Sequence, residues 1–202
     1  MIYNHSYKFL FVHIQKTAGS SISDFLLKHK GSRRLGKTHS FISDYAIPEG
    51  LFRFAFVRNP WDRLVSWYTM MISNNHISND FRDYILKNAS SFSKFLDCTA
   101  IINEGRSGYA PDGIDYRKSI TFNQLDFITG KDGKIAVDFI GRFERLQEDF
   151  NTVTQRIGLQ RTGLKRINTF DRRHYRKYYS DADAEKVGIM YRRDIEFFNY
   201  SF

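Results

Sequence analysis

Three short apolar runs punctuate the chain, and after each the hydrophobic spacing changes to three- and four-residue steps. The first lies in KFLFVHIQKTAGSSI, from Lys8 to Ile22. Phe9, Leu10, Phe11, Val12 and Ile14 form a nearly continuous apolar stretch, the pattern of a parallel strand covered on both faces. Gln15 to Gly19 break it with polar and small residues. Ile22, Phe25 and Leu26 then follow helical spacing. Ser21 is the expected cap of that helix, with Asp24 three residues on completing a capping box. The second run, Leu51 to Val57, predicts another buried strand. It leads into Arg58-Asn59-Pro60, where Asn59 suits an N-cap, Pro60 the first helical position and Asp62 the positive end of the helix dipole. That helix is expected to bury Leu64, Trp67, Tyr68 and Met71. The third run, Ile135 to Phe143, predicts a strand followed by a helix over Arg145 to Ile157, closed by Gly158.

Between and beyond these units the pattern is plainer. Leu27 to Gly50 reads as a connection with some strand. Phe81 to Leu86 and Ser91 to Ile101 are helical. Asn103 to Asp115, with its glycines and Pro111, reads as a loop, and this insert is the expected place of acceptor contacts. Phe122, Leu125 and Phe127 are expected in the core, and Lys131 to Lys134 form a turn. Ser180 is expected to cap one last helix with Val187, Met190, Tyr191, Ile195 and Phe198 on its apolar face. Strands alternating with helices define an α/β fold, with a central, mostly parallel sheet flanked by helices. A chain of 202 residues fits a single domain spanning 1–202.

Two of the strand-to-helix junctions carry chemistry. At the first, loop amides and a helix N-terminus converge beside Lys16, which makes an anion site. The plain alternative is an ordinary turn with a solvated lysine. The loop is not the Gly-x4-Gly-Lys-Ser/Thr motif, because its lysine precedes the glycine, and it is not GxGxxG. At the second, Arg58 stands at the carboxyl end of a strand, where open α/β sheets bind ligands. Ser66 lies seven residues after Asn59, about two helical turns. An arginine fork and a hydroxyl there can meet one phosphate. A salt bridge for Arg58 and a helix-surface position for Ser66 are the alternatives.

HIQKTAGSSI resembles the 5′-phosphosulfate loop of sulfotransferases that use 3′-phosphoadenosine 5′-phosphosulfate (PAPS), and is most similar to the carbohydrate group that includes the heparan and chondroitin enzymes. Those usually carry Pro where this chain has Gln15, and often Thr where it has Ser20. FVRNPWDRLVSWY resembles the same family's 3′-phosphate motif, with matching arginine-to-serine spacing. DFIGRFERLQEDF and YRRDIEFFNYSF resemble further family segments. The resemblance implies a P-loop-like sulfotransferase architecture and transfer of a sulfuryl group from PAPS to a hydroxyl of a carbohydrate or glycoconjugate. It implies that Lys16, Thr17, Ala18, Gly19, Ser20 and Ser21 hold the 5′-phosphosulfate. Arg58 and Ser66 would hold the 3′-phosphate, and Arg172 and Arg173 would add contacts. Lys16 would neutralise charge on the leaving oxygen. Arg142 and Glu144 read as structural ion-pair residues.

The proton of the acceptor hydroxyl needs a base, and a histidine titrating near neutrality suits that task. Among six histidines, His5 precedes the first run, His13 is expected in the core, and His29 falls at the far end of the first helix. His76 and His174 lie in loops. His39, between the first helix and the second strand, is the candidate, in a stretch comparable to where related enzymes often place a catalytic histidine.

Charge and cysteine content adjust this picture. The net charge is +9, and Arg161 to Lys177 alone hold seven Lys/Arg against Asp171. Such a segment calls for an anionic partner. A nucleotide donor, an anionic glycan or nucleic acid would each answer it. A nucleic-acid-binding module would leave the two phosphate motifs unexplained. A Mg²⁺-dependent kinase would use two phosphate sites, but the order of Lys16 and Gly19 opposes it. No Cys/His/Asp cluster has metal-ligand spacing, so no metal is expected. Cys98 is the sole cysteine, which favours a reducing compartment. With no membrane-length apolar run and no signal-peptide pattern, a cytoplasmic protein without an integral membrane segment is expected. Nothing in the sequence bears on oligomeric state.

Overall fold

The four residues of Phe9–Val12 are all buried, and they form the strand on which the fold is built. The computed structural model describes residues 1–73, 80–103, 120–167 and 172–202. In chain order these form β1 (Ile2–Asn4), β2 (Phe9–Val12), α1 (Gly19–Leu27), β3 (Arg33–Arg34) and β4 (Phe52–Val57). Next come α2 (Pro60–Ser73), α3 (Asp80–Asn88), α4 (Phe92–Asn103), α5 (Gln124–Ile128), β5 (Phe139–Arg142) and α6 (Leu146–Arg156). A 3-10 turn at Tyr175–Tyr178, α7 (Asp181–Met190) and α8 (Arg192–Phe198) complete the chain. The elements group into two compact units, Met1–Arg58 with Gln124–Thr169, and Asn59–Asn123 with Phe170–Phe202.

The first unit contains the whole sheet, in the order β3-β1-β2-β4-β5. β2 pairs parallel with β4, from Phe9↔Phe52 to Val12↔Ala55, and β4 pairs parallel with β5, from Phe54↔Phe139 to Val57↔Arg142. This is the expected parallel sheet. The sequence reading missed β1, which pairs antiparallel with β2 and β3; a three-residue strand is too short to show a period. On one face Phe9, Phe11, Phe54 and Phe56 pack with Ile22 and Leu26 of α1 and Phe150 and Val153 of α6. Leu10, Val12, Ala55 and Val57 are equally buried, so both faces are covered, which is why the runs are continuous rather than alternating.

Several boundaries differ from expectation. β5 is shorter than the run Ile135 to Phe143. Ile135 instead bridges Thr129, and Asp138 exchanges hydrogen bonds with the Arg53 backbone, its N–H to Arg53 O and its carboxylate from Arg53 N, each 2.7 Å. α6 ends as predicted. Gly158 takes φ +71°, its N–H reaches Gln155 O and that of Leu159 reaches Thr154 O, the paired bonds of a Schellman closure.

In the second unit, α2 is capped by Asn59, whose Oδ1 accepts from the N–H groups of Trp61 and Asp62 at 3.1 and 3.4 Å. Leu64, Trp67 and Met71 are buried as expected, with Tyr68 packed beside them. Ser180 caps α7 through a full capping box with Asp183. The expected single last helix is in fact two. The break falls at Tyr191, a buried residue whose hydroxyl donates to the carbonyl of Ile120. The expected loop from Asn103 to Asp115, beyond its first residue, and His76 lie outside the described residues. No helix among the described residues is long and apolar enough to cross a membrane.

Candidate functional site

β2 ends at Val12, and the chain turns into α1 through a loop with two left-handed residues that are not glycine. Lys16 has φ +66° and Ala18 φ +67°. Side chains with a Cβ adopt this region at a cost of roughly 1–2 kcal/mol each, and such residues concentrate at functional sites. Thr17 between them is wholly buried, and its hydroxyl donates to Ile14 O at 2.8 Å. Left-handed residues on either side of a residue with ordinary φ belong to the backbone geometries that turn N–H groups toward an anion.

Ala18 is also the N-cap of α1, and it supplies no side-chain hydrogen bond. The expected cap, Ser21 with Asp24, is therefore a misreading: the cap falls three residues earlier, at Ala18, and α1 opens at Gly19. Ser21 is buried within the first turn, where its hydroxyl accepts from the N–H of Ile167 at 3.3 Å. Asp24 pairs with Lys28 on the exposed side. Proline, serine and asparagine are the usual signals of a helix start; here the left-handed turn sets it, and the sequence carries no mark of that. A helix N-terminus whose N-cap side chain cannot accept a hydrogen bond presents its first N–H groups to an anionic ligand.

Gly19 allows this geometry by close approach. A Cβ there would lie 1.9 Å from Cδ2 and Nε2 of His13. His13 is buried, as expected, stacked on Phe11 with its Nδ1 3.4 Å from Ser23 Oγ. Burial first, and then the proximity of His39, push its pKa well below the ordinary histidine value. The His39 ring meets the His13 ring edge-on at 4.4 Å, and its Nδ1 is 3.2 Å from the His13 carbonyl. A carbonyl only accepts, so Nδ1 carries the proton and Nε2 is the basic nitrogen of the neutral ring. His39 is half-buried, at the carboxyl end of β2.

Arg58 follows β4 directly and is buried at 4 % exposure, so every group around it bears on its orientation. Its Nη1 donates to Lys16 O at 3.0 Å, and its guanidinium lies 3.8 Å over the Phe143 ring. Its backbone N–H donates to Gln124 Oε1 at 2.9 Å, and its carbonyl accepts from Gln124 Nε2 at 2.8 Å. The first unit thus brings together Lys16, Thr17, Ala18, Gly19, Ser20, Ser21, His39 and Arg58. Gln124 and Phe143 escaped the sequence reading, because an amide and a phenylalanine in apolar stretches look like core.

Ser66, Arg172 and Arg173 belong to the second unit. Ser66 is half-buried on α2, two turns from the cap. Arg172 makes a 2.5 Å ion pair with Asp62 in the first turn of that helix. Arg173 is exposed, 5.1 Å over the Tyr178 ring. Among the described residues no three His, Cys, Asp or Glu are grouped so as to hold a metal ion.

A family model described as the sulfotransferase family matches residues 1–201. The chain belongs to the sulfotransferase family, and its class of reaction is transfer of a sulfuryl group. It is also similar to a protein of Archaeoglobus fulgidus described as uncharacterized, with 29% identity over 136 residues, covering 64% of this chain and 86% of that one. No solved structure matches the chain.

Proposed function

We propose that the chain transfers the sulfuryl group of PAPS to a hydroxyl of a carbohydrate or glycoconjugate. The observation that carries this reading is the loop from Lys16 to Ser21, with its left-handed backbone, a helix end lacking an N-cap side-chain bond, and Arg58 tied to it. When bound, PAPS supplies the sulfuryl group and leaves as adenosine 3′,5′-bisphosphate. The amides from Ala18 to Ser21 and the hydroxyls of Ser20 and Ser21 hold its 5′ end, while the Thr17 hydroxyl, its proton given to Ile14 O inside the fold, braces the loop. Lys16 neutralises negative charge on the bridging oxygen, as cations do in phosphoryl transfer. Arg58 and Ser66 hold the 3′-phosphate, on the strength of their sequence motif, with Arg172 and Arg173 adding contacts. His39 Nε2 takes the acceptor's proton. The carbohydrate acceptor rests on the resemblance of both motifs to the heparan and chondroitin group.

Thermal melts with EDTA present test the donor. Adenosine 3′,5′-bisphosphate at a hundredfold excess over its dissociation constant should stabilise the fold by about 2.7 kcal/mol. A shift with ATP and Mg²⁺ but none with the bisphosphate would replace this reading by a kinase. The acceptor is found by mass spectrometry of glycan pools incubated with PAPS.

A further inference from the structure

We infer that Gln124 is a positioning residue that sets Arg58 and, through it, the carbonyl of Lys16 in the phosphate loop. The inference rests on the proposed role of Arg58 as a ligand of the donor's 3′-phosphate. Val57↔Arg142 is the last pairing of the β4–β5 ladder, and Arg58 is the next residue along β4. There the side-chain amide of Gln124 takes over the work of a neighbouring strand. It accepts from the Arg58 N–H at 2.9 Å and donates to the Arg58 carbonyl at 2.8 Å. Gln124 is fully buried, at 0 % exposure, so water offers no substitute for either bond. Of the natural side chains of this length, only glutamine offers a donor and an acceptor in one plane.

With its backbone held on both sides, Arg58 directs its guanidinium across Phe143 and onto Lys16 O. Lys16 is the left-handed residue at the head of the loop, and a bond to its carbonyl opposes relaxation to an ordinary φ. The contacts run in series: Gln124 amide, Arg58 main chain, Arg58 guanidinium, Lys16 main chain. Gln124 touches neither donor nor acceptor in this scheme. It acts by fixing the direction of an arginine fork, whose geometry is what bidentate phosphate recognition depends on.

The test is calorimetric binding of adenosine 3′,5′-bisphosphate and of adenosine 5′-phosphate, which lacks the 3′ group, to the full chain. The variants are Gln124→Met, Arg58→Ala and the double variant. Gln124→Met keeps the length and loses both bonds; Gln124→Glu, which keeps the acceptor, replaces it if the methionine variant does not fold. The expected result is about a tenfold weaker bisphosphate complex, as for loss of one charge-assisted contact, with a clearly smaller loss for the 5′-phosphate, which meets only the Lys16 loop that Arg58 braces. In the double variant the bisphosphate loss should not exceed that of Arg58→Ala. Equal losses for both ligands in Gln124→Met, or additive losses in the double variant, overturn the inference alone. A full 3′-preference retained by Arg58→Ala overturns the reading of Arg58 and the inference with it.

Discussion

His13 and His39 are neighbours with opposite assignments, and burial makes the difference. His39 is half-buried with its Nδ1 proton directed to the His13 carbonyl. As the proposed base, its replacement in His39→Ala should cut turnover by about 10²–10⁴-fold while bisphosphate affinity stays near normal. The acidic limb should also leave the pH–rate profile of the residual activity; near-normal turnover would remove His39 from the chemistry. His13 is held neutral by burial beneath Gly19, with a folded pKa well below 6.5. Below about pH 6.5 the unfolded chain binds a proton that folded His13 refuses. Stability from this residue is therefore complete above that pH and is lost as pH falls toward the folded pKa, at up to about 1.4 kcal/mol per pH unit. Urea unfolding at several pH values between 5 and 7.5 should give a flatter dependence for His13→Asn than for the parent chain. Identical slopes would show that other groups account for the acid sensitivity.

At the scale of elements, α2 depends on a single cap. Asn59 Oδ1 receives two backbone N–H groups, and its Nδ2 donates to Ser201 O at 2.9 Å. Asn59→Ala should cost about 0.5–2 kcal/mol in denaturant unfolding. Asn59→Asp keeps the acceptor, adds charge at the favourable helix end and gives up the Ser201 bond, so it should recover most of the loss. If the two variants are equally destabilised, the contact to Ser201 rather than the cap holds the helix. This start was legible because Asn-Pro states its role locally, as Ser180 does for α7 and Gly158 for the end of α6. The start of α1 was not legible, since a left-handed Ala18 is imposed by the loop and the His13–Gly19 approach. The break at Tyr191 was hidden for a related reason: apolar spacing continues through it, and the partner of its hydroxyl, the Ile120 carbonyl, is distant in the sequence. The two motifs that resemble the family's stand out in the sequence because their residues adjoin. Gln124, 66 residues from Arg58, reaches it only through the fold.

At the scale of the whole molecule, the distribution of charge matters more than its sum. Of the net +9, the segment from Arg161 to Lys177 supplies +6. Lys165 and Arg166 are exposed, on a stretch fastened at Leu164 N to Gln147 Oε1 and at Thr162 O by Gln147 Nε2, 2.9 and 3.1 Å. A cationic stretch held in one place gives an anionic chain a fixed target, and binding then weakens with salt as counterions are exchanged. Heparin is a suitable probe, as a polyanion of carbohydrate. Reversing Lys165 and Arg166 to Glu should lower the salt needed to elute the protein from immobilised heparin. The control reverses Lys131 and Lys134, also exposed, in a turn that already contains Asp132. Both pairs change the net charge equally, so a response to total charge alone would lower elution by the same amount. The expected result is a clearly larger drop for Lys165→Glu with Arg166→Glu. Equal drops would show that heparin responds to overall charge, and would leave the basic segment without a role as an anionic-glycan contact.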